Sequence, residues 1–396
     1  MNQLLKLRPI TFVLMAAALL TCMLAPAHHR ALAAPPRIST HAEASSVIDV
    51  KSNRIIFQEN GDKRMRIASL TKVMTAIVAI ENGTLTDKVK VSHRAYGKEG
   101  SSIYLHLGEE MTLQNMLYGL MLRSGNDAAT AIAEHVGGSV DGFVYLMNEK
   151  ARMLGMKNTS FKNPHGLDEE GHYSSANDMA ILTAYALRNP IFQEIVKTKV
   201  KTAPNPNEKW DYKWSNKNKM LSMYDGADGV KTGYTKLAHR TLISSATRNG
   251  QQFAVVTLND GDDWNDHKKM LDYAFTHYPL ATIVRKGETV QEPGLVAART
   301  FEFPLAEGEA AELRKKIVLY DEGSTDYRLG QRGRLELYLR GERIVSLPLF
   351  ESGSKRLTVQ ERATFRHTKY EQQELTFQQI FKSLLKGVFT GKTGEG

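Results

Sequence analysis

Ser69 and Lys72 stand three residues apart in the run Arg66-Ile67-Ala68-Ser69-Leu70-Thr71-Lys72. On a helix this spacing puts both side chains on one face. A serine hydroxyl is a weak nucleophile at neutral pH and needs an adjacent base. A lysine serves as that base once burial or a nearby cation lowers its pKa. Backbone N–H groups at a helix start can also hold a developing oxyanion. The pair therefore offers nucleophilic catalysis by an activated serine.

Spacing alone separates little. Ser-x-x-Lys recurs at Ser352/Lys355, in a Gly/Ser loop, and at Ser383/Lys386, on an amphipathic tail. Ser-x-Asn occurs at Ser124/Asn126 and Ser175/Asn177, and Lys-Thr-Gly at Lys231–Gly233 and Lys392–Gly394. Context selects among the copies. Ser124-Gly125-Asn126 falls at a helix–helix junction, where a short exposed turn can push Ser124 and Asn126 into a cleft. Lys231-Thr232-Gly233 immediately precedes strand-like sequence. A strand edge receives an extended substrate by main-chain pairing, and Gly233 leaves room for close approach. Lys231 can bind a carboxylate, and Thr232 adds a hydroxyl donor. The last Lys-Thr-Gly lies in a Gly-rich terminus with no strand around it.

The ordered set Ser69-x-x-Lys72, Ser124-x-Asn126, Lys231-Thr232-Gly233 resembles that of the penicillin-recognising serine enzymes. The chain is similar to low-molecular-mass penicillin-binding proteins of the D-alanyl-D-alanine carboxypeptidase family. The resemblance runs from about residue 44 to the tail and is carried by stretches 118–129, 163–168, 173–179 and 229–235. Several of these are most similar to the sporulation-associated branch of Bacillus-like organisms. The resemblance implies that Ser69 forms an acyl-enzyme and that Lys72 is its base. It implies that Ser124 relays a proton to the leaving D-alanine and that Asn126 bonds the substrate amide. Lys231 and Thr232 would recognise the terminal carboxylate, beside Gly233, and the N–H groups of Ser69 and Tyr234 would form the oxyanion hole. The sequence departs from the family at His239-Arg240-Thr241, where many relatives carry smaller residues. It departs again at Tyr234, where other relatives place a histidine.

The implied substrate is a peptidoglycan stem peptide, with β-lactam antibiotics as acylating inhibitors and no cofactor or metal. A β-lactamase of the same architecture is one alternative. A class A enzyme would want a deacylating glutamate, and no matching motif lies between Asn126 and Lys231. A catalytically silent cell-wall binding protein is another, and it fits poorly with every catalytic position filled.

Elements able to position these residues can be read from periodicity. Residues 46–50 and 54–57 read as a hairpin. Residues 71–80 read as a helix with a mostly apolar face, and Thr112 caps a second that carries Leu113, Met116, Leu117 and Leu120. Further helices are expected at 127–136, from a Ser139 cap to 154, at 177–187 and at 264–275. Residues 241–245 and 253–257 form a hairpin around Asn249-Gly250. From 282 to 366 the runs 295–303, 316–320, 335–339 and 343–347 read as a small all-β unit. The fold class expected is α+β: a penicillin-binding/β-lactamase-like transpeptidase domain with an antiparallel sheet and helices, then the all-β domain, then a C-terminal amphipathic helix. The divisions are 1–34, 35–281, 282–367 and 368–396.

Several clusters have plainer readings. His165 and Asp168 read as members of a structured loop. Asp262, Asp263, Asp266 and His267 open a helix, where the acids act as caps. Trp210, Tyr212 and Trp214, with Lys213 and Lys217 among them, read as aromatic packing.

Lys6 and Arg8, an apolar stretch at 10–24 and Ala31-Leu32-Ala33 read as an export signal, which places the protein outside the cytoplasmic membrane. The one cysteine, Cys22, lies within it. The net charge of +9 suits an anionic partner such as cell-wall polymer or lipid headgroups. Nucleic acid is not expected, since no Lys/Arg run is interleaved with aromatics. In the tail, Leu375, Phe377, Ile380, Phe381, Leu384, Leu385, Val388 and Phe389 make one apolar stripe, suited to lying in a membrane interface.

Overall fold

The computed structural model describes residues 35–358 apart from 292 and 293. The export signal, Cys22, the apolar tail stripe and the motif copies at Ser383/Lys386 and Lys392–Gly394 lie outside the described residues.

Five antiparallel strands form the central sheet: β1 (Ala42–Asp49), β2 (Ile55–Glu59), β3 (Ala227–Thr235), β4 (His239–Arg248) and β5 (Gln251–Asp260). Their order is β2-β1-β5-β4-β3, so the strand bearing Lys231-Thr232-Gly233 is an edge. Strand side chains alternate between faces, and the sequence supplies both faces with apolar groups. Val47, Leu242, Phe253 and Val255 pack under Met270, Leu271 and Ala274 of the helix Asp263–His277. Their neighbours Ile48, Ile243, Ala254 and Val256 face a larger helical layer on the other side. The β4–β5 turn has φ of 51° at Asn249 and 78° at Gly250, the positive pair that an Asn-Gly hairpin turn requires.

The helical layer is built around α1 (Thr71–Asn82), buried at every position from Thr71 to Ile80. A helix enclosed on all sides carries apolar groups all round rather than on one face. Its buried polar members, Thr71, Lys72 and Thr75, turn out to be those bonded at the site. Around it lie α2 (Leu113–Tyr118), α3 (Asn126–Gly137), α4 (Val140–Met153) and α5 (Ala176–Ala186). The Thr112, Ser139 and Ser175 hydroxyls accept from Asn115, Gly142 and Asp178 N–H respectively, each satisfying a donor with no helical partner.

A second five-stranded sheet follows: β6 (Thr289–Gln291), β7 (Leu295–Ala297), β8 (Leu313–Leu319), β9 (Gly333–Leu339) and β10 (Glu342–Glu351), in the order β6-β7-β10-β9-β8. Leu335, Leu337, Leu347 and Leu349 fill its core at period two. The run 295–303, expected as one strand, is two. The chain bends where Thr300 Oγ1 accepts from Lys286 N, and Phe301–Pro304 pairs instead with Leu280–Val284. Arg54 reaches from β2's approach to this region, with a bidentate bond to Glu309 at 2.6 and 2.7 Å.

Candidate active site

Ser69 lies in a 3-10 turn, Ala68–Leu70, just ahead of α1 rather than inside it. Ala68 has φ +47°, a left-handed conformation that costs a non-glycine residue energy. The turn is held from beneath: Thr71 Oγ1 donates to the Ala68 carbonyl at 2.9 Å and lies 2.9 Å from His172 Nε2. Lys72, one helical turn on, places Nζ 3.1 Å from Ser69 Oγ.

Lys72 is fully buried, with Nζ 2.7 Å from Asn126 Oδ1 and 2.6 Å from the His165 carbonyl. Burial holds its pKa well below the ordinary lysine value, helped by the charges of Lys231 and Lys217 and opposed by Asp127. The loop carrying that carbonyl is structured as expected: Asn163 Oδ1 accepts from Gly166 N at 2.7 Å. The His165 ring is held neutral by burial, its pKa pushed down to about 3, while Asp168 faces Arg66 at 3.4 Å.

A π-helical turn, Gly119–Arg123, precedes Ser124, which sits at φ +67° before α3 begins. Sequence periodicity does not distinguish such a turn from ordinary α-helix, and widened turns of this kind often mark functional sites. It delivers Ser124 Oγ to the cleft, buried and without a hydrogen-bond partner among the described residues. Asn126 is fixed by its side-chain amide donating to Glu99 O at 2.6 Å. Asp127, which the sequence reading passed over, accepts from Ser102 Oγ at 2.6 Å and from Ile103 N and Leu105 N at 3.1 Å, fastening the loop that bears Ser101.

On β3 the register pairs Lys231 with Ile243, Thr232 with Leu242, Gly233 with Thr241 and Tyr234 with Arg240. Opposed residues share a face, so Lys231 looks toward the helical layer while Thr232 and Tyr234 look the other way. Lys231 is 1% exposed and donates to the Thr232 carbonyl at 2.7 Å. Burial, then Lys217, lowers its pKa to about 7. A Cβ on Gly233 would stand 2.4 Å from Thr241 Oγ1 and 3.0 Å from Ser69 N, so only glycine lets the strand approach the Ser69 turn this closely. Tyr234 is 64% exposed at the rim.

Ser69, Ser124, Thr232, Gly233 and Tyr234 thus line one cleft of about 300 Å³, with Lys72, Asn126 and Lys231 behind its wall. Ser101, Lys217, Arg240, Asp263 and Trp264 complete the lining. A larger concavity of about 380 Å³, beside Lys88, Lys90 and Arg94, holds none of the motif residues.

Two expectations are corrected. Asp262 stands at the helix N-cap without capping it through its side chain, and bonds Asn265 Nδ2 instead. Asp263 and Asp266 keep their places in the first turn but are claimed by Arg240 and His41, and buried His267 bridges Ser244 and Thr257. Trp214 is buried and stacks on Tyr212 at 5.3 Å, whereas Trp210 is 67% exposed and Lys217 belongs to the cleft. The second Ser-x-Asn is structural: Ser175 caps α5, and Asn177 bonds Gln58 and Asp62.

A family model described as D-alanyl-D-alanine carboxypeptidase matches residues 29–262. The D-alanyl-D-alanine carboxypeptidase DacF of Bacillus subtilis is 34% identical over 334 residues, covering 79% of this chain and 85% of that one. DacA of Escherichia coli is 32% identical over 317 residues, covering 74% of this chain and 76% of that one. Among solved structures, penicillin binding protein 5 from Haemophilus influenzae aligns over 81% of this chain and 98% of its own, at 28% identity and a TM-score of 0.66. The α+β architecture with an antiparallel sheet is that of these enzymes.

Proposed function

Since the chain belongs to the serine D-alanyl-D-alanine carboxypeptidase family of low-molecular-mass penicillin-binding proteins, we propose the following division of labour among the residues of its cleft. The reaction removes the terminal D-alanine from a peptidoglycan stem pentapeptide through an acyl-enzyme, and penicillins acylate the same centre.

Ser69 Oγ attacks the carbonyl of the penultimate D-alanine while Lys72 takes its proton. A neutral amine has two N–H groups and one lone pair. Asn126 Oδ1 and the His165 carbonyl accept the two N–H bonds, which leaves the lone pair for the Ser69 hydroxyl at 3.1 Å. That fit, in a site whose burial favours the neutral lysine, is the observation that carries the reading. The oxyanion settles between the N–H groups of Ser69 and Tyr234, which the absent side chain of Gly233 allows to lie together. Collapse breaks the C–N bond, and Ser124 relays to the departing amine the proton that Lys72 took from Ser69, which leaves the lysine neutral again. Water then attacks the ester, Lys72 again acting as base, and frees Ser69. Asn126 bonds the substrate amide, Thr232 donates to the terminal carboxylate, and Lys231 adds its charge.

Release of D-alanine from a D-Ala-D-Ala-terminated pentapeptide tests this reading. One D-alanine per peptide with slow penicillin turnover is expected. Rapid penicillin hydrolysis without D-alanine release would make the protein a β-lactamase.

Further assignments rest on sequence: export directed by residues 1–34, a division of the mature chain at 281/282, bilayer attachment through 368–396, and service to a sporulating cell. Liposome flotation of a truncation ending near Lys369 should show lost binding, and unchanged flotation refutes the anchor. Equal protein levels in vegetative and sporulating cells would refute the last.

A further inference from the structure

We propose that Arg240, steered by Asp263, is the cation that directly receives the C-terminal carboxylate of the substrate, while Lys231 acts only from behind the strand. The proposal rests on the acyl-transfer reading of the cleft and names the residue that selects its substrate.

The strand geometry separates the two cations. Lys231 faces the helical layer, is 1% exposed, and spends a donor on the Thr232 carbonyl; it does not reach the cleft lining. Arg240 pairs in register with Tyr234, so its side chain rises on the face of Thr232 and Tyr234, beside Gly233. It lines the cleft with its side chain 44% exposed.

The guanidinium has donors to spare. Its Nε and Nη2 point at the two oxygens of Asp263, whose side chain is 6% exposed. A guanidinium carries five N–H groups. Two are engaged by Asp263, and Nη1 has no partner among the described residues. The ion pair therefore fixes the plane of the group and leaves a donor edge for a second carboxylate. A substrate whose scissile carbonyl sits at the Ser69 and Tyr234 N–H groups holds the carboxylate of its leaving residue about 4 Å further on, given ordinary bond lengths. A residue opposite Tyr234, with Cα atoms about 5 Å apart, can reach that point. Lys217 is the other cation of the lining, on the wall of Ser101, where its Nζ lies 3.4 Å from Ser101 Oγ.

The test compares two acyl-D-alanyl thioesters, one with a thioglycolate leaving group that carries a carboxylate and one with its methyl ester, which does not. Both acylate the same serine, so a failure of the Ser69 reading shows as loss of both. The intact protein should prefer the acid. In Arg240→Gln, kcat/KM for the acid should fall about tenfold or more, as expected for one charge-assisted hydrogen bond, chiefly through KM. The methyl ester should change less than about threefold, and Arg240→Lys should recover part of the preference. Asp263→Asn, which loosens the arginine without removing it, should raise KM for the acid alone. An acid preference unchanged in Arg240→Gln, or one that collapses in Lys217→Ala instead, overturns the proposal. If Arg240→Gln does not fold, the Arg240→Lys and Lys217→Ala pair gives the same decision.

Discussion

Lys72 and Asn126 are joined by a 2.7 Å hydrogen bond that ties the first motif to the second, although 54 positions separate them in the chain. The bond makes the amine part of a buried polar network. Lys72→Arg puts a permanent cation into that network, with no lone pair to take the serine proton. Serine acylation by penicillin should fall by a factor of about 10³, within the usual range for losing a general base. Stopped-flow acylation measures it. Acylation within about threefold of the parent would show that the base lies elsewhere.

The depressed pKa of Lys72 sets the acid limb of the pH profile. A lysine whose folded pKa lies well below the ordinary lysine value loses its proton sooner than a surface lysine, so kcat/KM should level off before the ordinary lysine range and fall on acidification. A rate that climbs steadily to pH 10 would mean that the lysine titrates as an ordinary surface group.

Ser124 Oγ is buried without a partner among the described residues. An unsatisfied buried hydroxyl costs about 1 kcal/mol or more, so Ser124→Ala should leave stability unchanged or raise it slightly. D-alanine release should nonetheless drop about a hundredfold, the lower range for a lost proton relay. Urea unfolding alongside turnover reads both. A stability loss with full activity would mark Ser124 as structural.

His267 is fully buried between Ser244 and Thr257, and burial lowers its pKa to about 3. The unfolded chain titrates near 6.5, so the stability gained by keeping this ring neutral is complete above about pH 6.5 and is lost as pH falls toward 3. Buried His165 and His172, lowered to about 3 and about 4, act in the same direction. His267→Gln should remove part of this slope in unfolding free energy between about pH 6.5 and 4. An identical slope would contradict burial as its source.

Much of the site was legible because its chemistry is local. Ser69/Lys72, Ser124/Asn126 and Lys231/Thr232 each sit within one turn or strand, and the caps at Thr112, Ser139 and Ser175 obey short-range rules. What the sequence hid depends on packing. The π-helical turn before Ser124 keeps ordinary helical periodicity. Asp263 stands in the first turn of its helix as expected, but its pairing with Arg240 of the neighbouring strand is a tertiary contact that the local pattern does not show. The bend within 295–303 depends on a contact from Lys286. The turning of Lys231 behind the sheet could be read only once β3 was paired with β4 in register.

The central claim is that Ser69 is the nucleophile, and intact-protein mass spectrometry after brief exposure to benzylpenicillin tests it most directly. One penicilloyl adduct per chain, mapped to the peptide containing Ser69 and absent from Ser69→Ala, is the predicted result. An adduct that persists in a folded Ser69→Ala variant would contradict it.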